Sequence, residues 1–571
     1  MNFKEQTHSF TQRPWTKDFH LSELSIDPLL SIALKELYPE QVIEGGRTRI
    51  RLVQESSVLS EGYRIEFDDI TSIHASSHAG FLYGMMALIQ LAQERTSIDI
   101  ASITDYPNLS FRGYMLDISR NKIPTQEEIK RWLRLCALAR LNHFELYVEG
   151  FSFLYESFGN LPFETPITKE EFVVLQEYAS LLSIDLVPNM NSFGHMTEWL
   201  ALPKYQSLSE KEDGFDIWGY HFPPSTLNPL DKASVQHVLQ MISELAVVSK
   251  SSYFHVNMDE PFELGQGKSK EECEKTSKAK VYLDFQNQIF TWLKEHKLTP
   301  MFWADVLIHH PEVFDLIDKN AIVCDWGYDF DYPYEEHAKA LEQHQLRYVL
   351  CPGTSSWNSI LSRRRDMLAT LNNAVTAAKN HHGLGLLMTD WGDFGHLQAS
   401  LFSYPAVLLT GIQCWGEDWQ EEEIEAFLNK YYFSGESLYD IVKQLSSYST
   451  LENKYVYNST MAFQSIMHVD PSFDRDNATK LAILKNAVAQ NFISAISLTQ
   501  IRELLDNCEI ELPKTGSSLT DEIRYSIGLI RIFLAVNEAL SMNSRFQEKD
   551  RNLLKWSIKE HDRLWLIKNR K

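Results

Sequence analysis

Eight short apolar runs alternate with helix-like stretches between residues 112 and 393, and this alternation constrains the fold more than any other feature of the chain. The runs are RGYMLD (112–117), HFELYVE (143–149), IDLVPNM (184–190), YFHVNMD (253–259), PMFWAD (300–305), IVCDWG (322–327), RYVLCPG (347–353) and LLMTDWGD (386–393). Stretches between them, such as TQEEIKRWLRLCALARL and TKEEFVVLQEYASLL, open on Thr with glutamates in the first turn, the pattern of a capped helix start. Repeated βα units predict a parallel sheet, and eight of them match an α/β fold of the (β/α)8 TIM-barrel type. Ahead of them, RTRIRLVQ and GYRIEFDD alternate like strands and HAGFLYGMMALIQLAQ has helical spacing. Residues 1–105 are therefore expected to form an N-terminal α+β domain, with DYPN (105–108) as linker and the barrel over 106–430. Long helical patterns such as DEIRYSIGLIRIFLAVNEALSM predict a C-terminal helical domain over 431–571.

A barrel of this kind carries its chemistry where the strands end. The eight ends bring Asp117 and Arg120; Glu149; Asn191 and His195; Asp259 and Glu260; Trp303 and Asp305; Asp325, Trp326 and Tyr328; Trp357 and Asn358; and Asp390, Trp391 and Asp393. Indole faces stack on the apolar face of a pyranose, while carboxylates and a forked Arg meet its hydroxyls, so this rim describes a sugar site. Two adjacent carboxyls at the fourth strand suit glycosidic cleavage, one kept protonated by its neighbour and by burial, the other ionised.

The remaining composition narrows the setting. A net charge of −23, from 54 Lys and Arg against 77 Asp and Glu, repels polyanions, so neither nucleic acid nor an anionic membrane is an expected partner. The start MNFKEQTHSFTQRPW has no apolar core of a signal peptide, and no run of about 18 apolar residues offers a membrane span. Six scattered cysteines without a CxxC pair suit reduced thiols, and together these features predict a soluble, cytoplasmic protein. His309–His310 has no spaced third ligand and there is no HExxH, so no metal or cofactor is expected. GQGKS (265–269) fails the phosphate-loop pattern because Phe262 stands where its first Gly belongs.

Four motifs carry a resemblance. HVNMDE (255–260) is similar to the H-x-G-x-D-E motif of the family 20 glycoside hydrolases, the β-N-acetylhexosaminidases; RGYMLDISR (112–120) resembles their first-strand motif, NSFGH (191–195) the third-strand P-G-H segment, and WGD (391–393) the eighth-strand W-x-E. The pre-barrel helix agrees as well, and the resemblance covers about residues 1–425. It implies a retaining, exo-acting mechanism on glycans ending in N-acetylhexosamine, with the substrate's own acetamido oxygen as nucleophile. Glu260 would be the acid and base, and Asp259 would hold the acetamido N–H. Arg120 and Asp393 would grip ring hydroxyls, Trp303, Trp326 and Trp391 would wall the sugar, and His195 and His255 would support the site.

Two departures stand out. Asn257 occupies the motif's Gly position, which crowds the backbone beside the acid, and GTSSWNS (353–359) has no Tyr to bind the acetamido oxygen. Trp357 is slightly preferred for that task over Tyr328. Arg120 has an alternative as a plain partner of Asp117 or another barrel-mouth carboxylate, and Glu149, Asp305 and Asp325 as structural carboxylates. A glycosidase of other preference with Asp393 as nucleophile, and a non-catalytic glycan-binding barrel, are the competing functions. The C-terminal helices are compatible with a homodimer contact or a lid.

Overall fold

The structure is a computed structural model that describes residues 4–6, 13–14, 19–22, 26–41, 45–94, 97–98, 101–159, 161–162, 165–217, 220–467, 493–514, 516–541 and 547–570. Eight parallel strands close into a barrel in chain order, which we number β1 (Phe111–Asp117), β2 (His143–Val148), β3 (Asp185–Met190), β4 (Tyr253–His255), β5 (Thr299–Trp303), β6 (Ile322–Trp326), β7 (Arg347–Cys351) and β8 (Gly385–Asp390). β8 returns to pair with β1 in parallel register, Leu386 opposite Arg112 and Asp390 opposite Leu116. The expected caps are present. Thr125 accepts the Glu128 N–H ahead of helix Gln126–Leu138, and Thr168 with Glu171 forms a reciprocal capping box ahead of helix Lys169–Leu181.

β4 is shorter than the apolar run 253–259: the strand ends at His255, and Asn257, Met258 and Glu260 then take left-handed backbone angles, with φ of 56°, 71° and 47°. Left-handed geometry in non-glycine residues costs of order 1–3 kcal/mol each and persists only where the surroundings impose it. The first residues after β4 are therefore a tight, strained exit.

Before the barrel, a six-stranded sheet includes Thr48–Gln54, Tyr63–Phe67 and Thr71–Ala75, with the long helix His78–Glu94 against it. After β8, helix Tyr404–Trp415 is almost wholly buried. Further on come helices Ala495–Glu511, Ser518–Ser541 and Glu548–Lys568; residues 468–492 and Met542, part of the expected helical region, lie outside the described residues. The last helix is fastened to the barrel. Arg570 pairs with Glu171 at 2.8 Å, and the Lys568 carbonyl accepts the Thr125 N–H at 2.8 Å.

The inside of the barrel holds a buried charged cluster. Glu145 on β2 accepts from the His143 ring at 2.6 Å and Asn189 at 2.6 Å, and meets the His255 ring at 2.8 Å. Burial opposes the Glu145 charge, yet His255 and the His143 bond outweigh it and hold the carboxyl down at about 2. Burial likewise opposes the His255 charge, and Glu145 outweighs it, lifting His255 to about 10. The signs follow from linkage. Glu145 contributes fully above its ordinary 4.5 and loses that contribution as pH falls towards 2. His255 contributes fully below its ordinary 6.5 and loses it as pH rises through 10. Breaking this pair strands a buried charge, so Glu145→Gln is expected to cost about 3–5 kcal/mol at neutral pH, measured by denaturant unfolding.

Candidate active site

The tight exit from β4 determines what reaches the barrel mouth. Successive strand residues point to opposite faces, so a straight strand would have separated Asp259 from Glu260. The left-handed turns bring both to one side, where the His195 Nε2 lies 3.4 Å from Asp259 Oδ2 and 3.3 Å from Glu260 Oε2. The NSFGH loop passes this close only because residue 194 is glycine, since a Cβ there would stand 2.1 Å from the Asp259 carbonyl oxygen.

Asn257 does not crowd the acid. Asn tolerates the left-handed region better than other non-glycine residues, and its side chain turns into the barrel. There its amide oxygen accepts the Trp303 indole N–H, and its Nδ2 donates to Asn189 Oδ1 at 2.8 Å. It joins the wall of the site to the Glu145 cluster beneath, where the His255 ring lies 4.2 Å from the Trp303 ring.

Opposite this pair, Arg120 stands at the centre of a carboxylate ring. Its guanidinium donates to Asp117 at 2.5 Å, and lies 3.1 Å from Glu149 and 3.7 Å from Asp393. The same group sits over the Tyr147 and Trp391 rings at 5.1 and 5.3 Å. Arg120 thus pairs with Asp117 and with two further carboxylates of the barrel mouth. Asp117 is spoken for, accepting from Ser119 and from the Gly392 N–H at 2.9 Å, which ties β1 to the loop after β8. Glu149 connects the two halves, since it accepts the Tyr147 hydroxyl at 2.8 Å and lies 3.7 Å from His195 Nδ1. Burial opposes the charge on His195, but Asp259 and Glu149 outweigh it and hold the ring protonated well above its ordinary value.

The aromatic residues form two layers. Trp391 and Tyr328 are joined by an indole N–H to hydroxyl bond of 2.7 Å, and Trp326 stacks on Tyr328 at 5.2 Å. Trp303 and Trp357 are fully buried behind them. Trp357 stands edge-on to Tyr328 at 4.9 Å with an indole N–H that has no partner among the described residues. Of the two candidates for the acetamido oxygen, Tyr328 is the less deeply buried, and its hydroxyl accepts from Trp391.

Two strand-end carboxylates lie elsewhere. Asp325 accepts the Tyr332 hydroxyl at 2.7 Å and meets His337 at 3.1 Å. Asp390 accepts from Tyr114 and Thr354 at 2.7 Å and from Ser356 and Ser403 at 3.0 Å. Both are consumed by packing around the strands.

One contribution comes from far along the chain. The Asn358 Nδ2 lies 3.5 Å from Asp393 Oδ2 and 3.3 Å from the Asn458 carbonyl, while its own carbonyl accepts the Thr460 N–H at 3.1 Å. Arg363 donates to Asn458 Oδ1 at 2.8 Å. The segment 458–460 therefore braces Asp393 through Asn358. No local sequence pattern marks it, because the partners are about a hundred residues apart.

The family model described as "Glycosyl hydrolase family 20, catalytic domain" matches residues 109–360. The chain is 26% identical over 230 residues to a β-hexosaminidase of Porphyromonas gingivalis, covering 35% of this chain and 29% of that protein. It is 22% identical over 486 residues to a β-hexosaminidase of Vibrio vulnificus, covering 67% and 57%. The chain thus spans less than two thirds of the length of either relative. Among solved structures, the GH20 exo β-N-acetylglucosaminidase of Vibrio harveyi aligns with a TM-score of 0.60 at 17% identity over 76% of each chain. The chitobiase of Flavobacterium johnsoniae aligns with a TM-score of 0.61 at 17% identity, covering 98% of this chain and 94% of that one. At such identity these structures establish the fold.

Proposed function

From the match of residues 109–360 to the catalytic-domain model of glycosyl hydrolase family 20, we propose that this chain is an exo-acting, retaining β-N-acetylhexosaminidase that removes terminal β-GlcNAc or β-GalNAc from glycans. The acetamido oxygen of the substrate attacks the anomeric carbon and forms an oxazolinium. Glu260 delivers a proton to the departing oxygen, then takes one from the water that opens the ring. Asp259 holds the acetamido N–H and stabilises the positive charge that grows on that group. Tyr328 donates to the acetamido oxygen, Trp391 and Trp326 flank the sugar, and Trp303 and Trp357 back them. Arg120 and Asp393 bind hydroxyls.

The supporting observation is the placement of Asp259 and Glu260 around one His195 nitrogen. The magnitudes agree with this division. Acid catalysis supplies roughly 10²–10⁴-fold, and a nucleophile already attached to its substrate acts at an effective molarity of about 10⁵–10⁸ M. Asp393 is a poor alternative as an enzyme nucleophile, being shared with Arg120 and Asn358. Turnover of nitrophenyl β-GlcNAc and β-GalNAc, set against the plain β-glucoside, tests the proposal; hydrolysis of the glucoside at a similar rate would defeat it.

A pH dependence follows. Burial pushes the Asp393 carboxyl up to about 6 against the pull of Arg120. As pH falls below that value Asp393 takes a proton, and the sugar loses a charged acceptor. KM is expected to rise between pH 7 and 5. Asp393→Asn should flatten that limb while raising KM about tenfold, the scale of one hydrogen bond to a charged group.

A further inference from the structure

Asp305 follows β5 and meets the catalytic pair at the Glu260 backbone. Its Oδ2 accepts the Glu260 backbone N–H at 3.0 Å, at a residue whose φ is 47°. Its other oxygen, Oδ1, is sealed from solvent and has no hydrogen-bond partner among the described residues, and the same is true of Asp259 Oδ1. Two buried carboxyl oxygens without a donor are each costly. Two ionised carboxylates side by side are costlier still. One proton held between them removes both penalties, because the protonated carboxyl becomes the missing donor.

We propose that Asp305 is a positioning residue that works as a neutral carboxylic acid, donating its proton to Asp259 while its second oxygen holds the Glu260 backbone. The proposal rests on the reading of Asp259 and Glu260 as the catalytic pair. The direction of its titration agrees: burial first, and then the Asp259 charge, push the Asp305 carboxyl well above its ordinary range. The titratable groups facing it are Asp259 and Glu260 from the exit of β4 and the Tyr282 phenol from helix Lys278–Glu295, whose hydroxyl donates to the Met258 carbonyl at 3.1 Å. The consequence is a division between the two aspartates. Asp305 keeps the proton and orients the Asp259 carboxyl for the acetamido group, and the strained backbone of Glu260 is pinned from the same carboxyl.

Asn has the shape of a neutral carboxyl, with a donor and an acceptor in the required places, so the test compares Asp305→Asn with Asp305→Ala. Asp305→Asn should keep kcat within about threefold of the parent, whereas Asp305→Ala should lose about a hundredfold or more, the scale of a displaced catalytic group. In the parent, kcat should fall on the alkaline side as Asp305 ionises beside Asp259, and that limb should vanish in Asp305→Asn. An inactive, folded Asp305→Asn, or an alkaline limb unchanged in it, overturns the proposal. The protonation itself is read without turnover, from the infrared carbonyl band of a neutral carboxyl at pH 8, present in the parent and missing in Asp305→Asn. If the parent has that band but hydrolyses no N-acetylhexosaminide, the catalytic reading fails and the shared proton stands; if the parent is active without it, the shared proton fails alone.

Discussion

Glu260→Gln is expected to lower kcat/KM by about 10²–10⁴-fold, and the loss should depend on what is leaving. A nitrophenolate departs with little help, so nitrophenyl β-GlcNAc should suffer least. A sugar alkoxide needs a proton in the transition state, so a disaccharide ending in GlcNAc should suffer most. The Gln side chain keeps the size of Glu and can still reach His195, which lies 3.3 Å from the carboxylate it replaces. The fold should therefore be untouched, and unfolding midpoints of parent and variant should coincide. A loss independent of the leaving group would remove Glu260 from the role of acid.

Asp259→Asn should cost at least about 10²-fold in kcat, since a misplaced acetamido group forfeits part of its effective molarity. Here the leaving group should matter little, because the deficit lies in the nucleophile. The two variants thus separate the two halves of the mechanism by their response to a single substrate series. His195 couples them, placed 3.4 Å from Asp259 and 3.3 Å from Glu260 and held protonated. Removing the Asp259 charge also removes the strongest influence that keeps His195 an imidazolium. The pH profile of Asp259→Asn should accordingly change shape as well as height.

The barrel was legible because its strands are short apolar runs and its helices announce themselves by capped starts, with Thr125 and Thr168 capping as read. Closure, with β8 pairing β1, follows from eight such units. The strand-end chemistry was legible only as a list of residue types. Alternation sends side chains to opposite faces, and a one-residue difference in where a strand stops decides which carboxylate meets the mouth. Asp325 and Asp390 read like Asp117 and Asp393 in the sequence, yet the first two are taken up by Tyr332 and Tyr114. The sequence slightly favoured Trp357 over Tyr328, and only packing shows Trp357 to be the more deeply buried of the two. Asn257 looked like an obstruction because its left-handed backbone is not written in the residue type. The brace from Asn458 through Asn358 to Asp393 was invisible for a different reason, since long-range contacts of this kind leave no local pattern.

The central claim is that the substrate's own acetamido group performs the attack in a site held by Asp259 and Glu260. Its most direct measurement is the rate of hydrolysis of nitrophenyl β-glucosaminides whose N-acetyl group carries none, one or three fluorines. Each fluorine withdraws electrons from the carbonyl oxygen, so kcat/KM should fall in order along the series. Equal rates along the series, with a sugar trapped covalently on Asp393, would contradict the account.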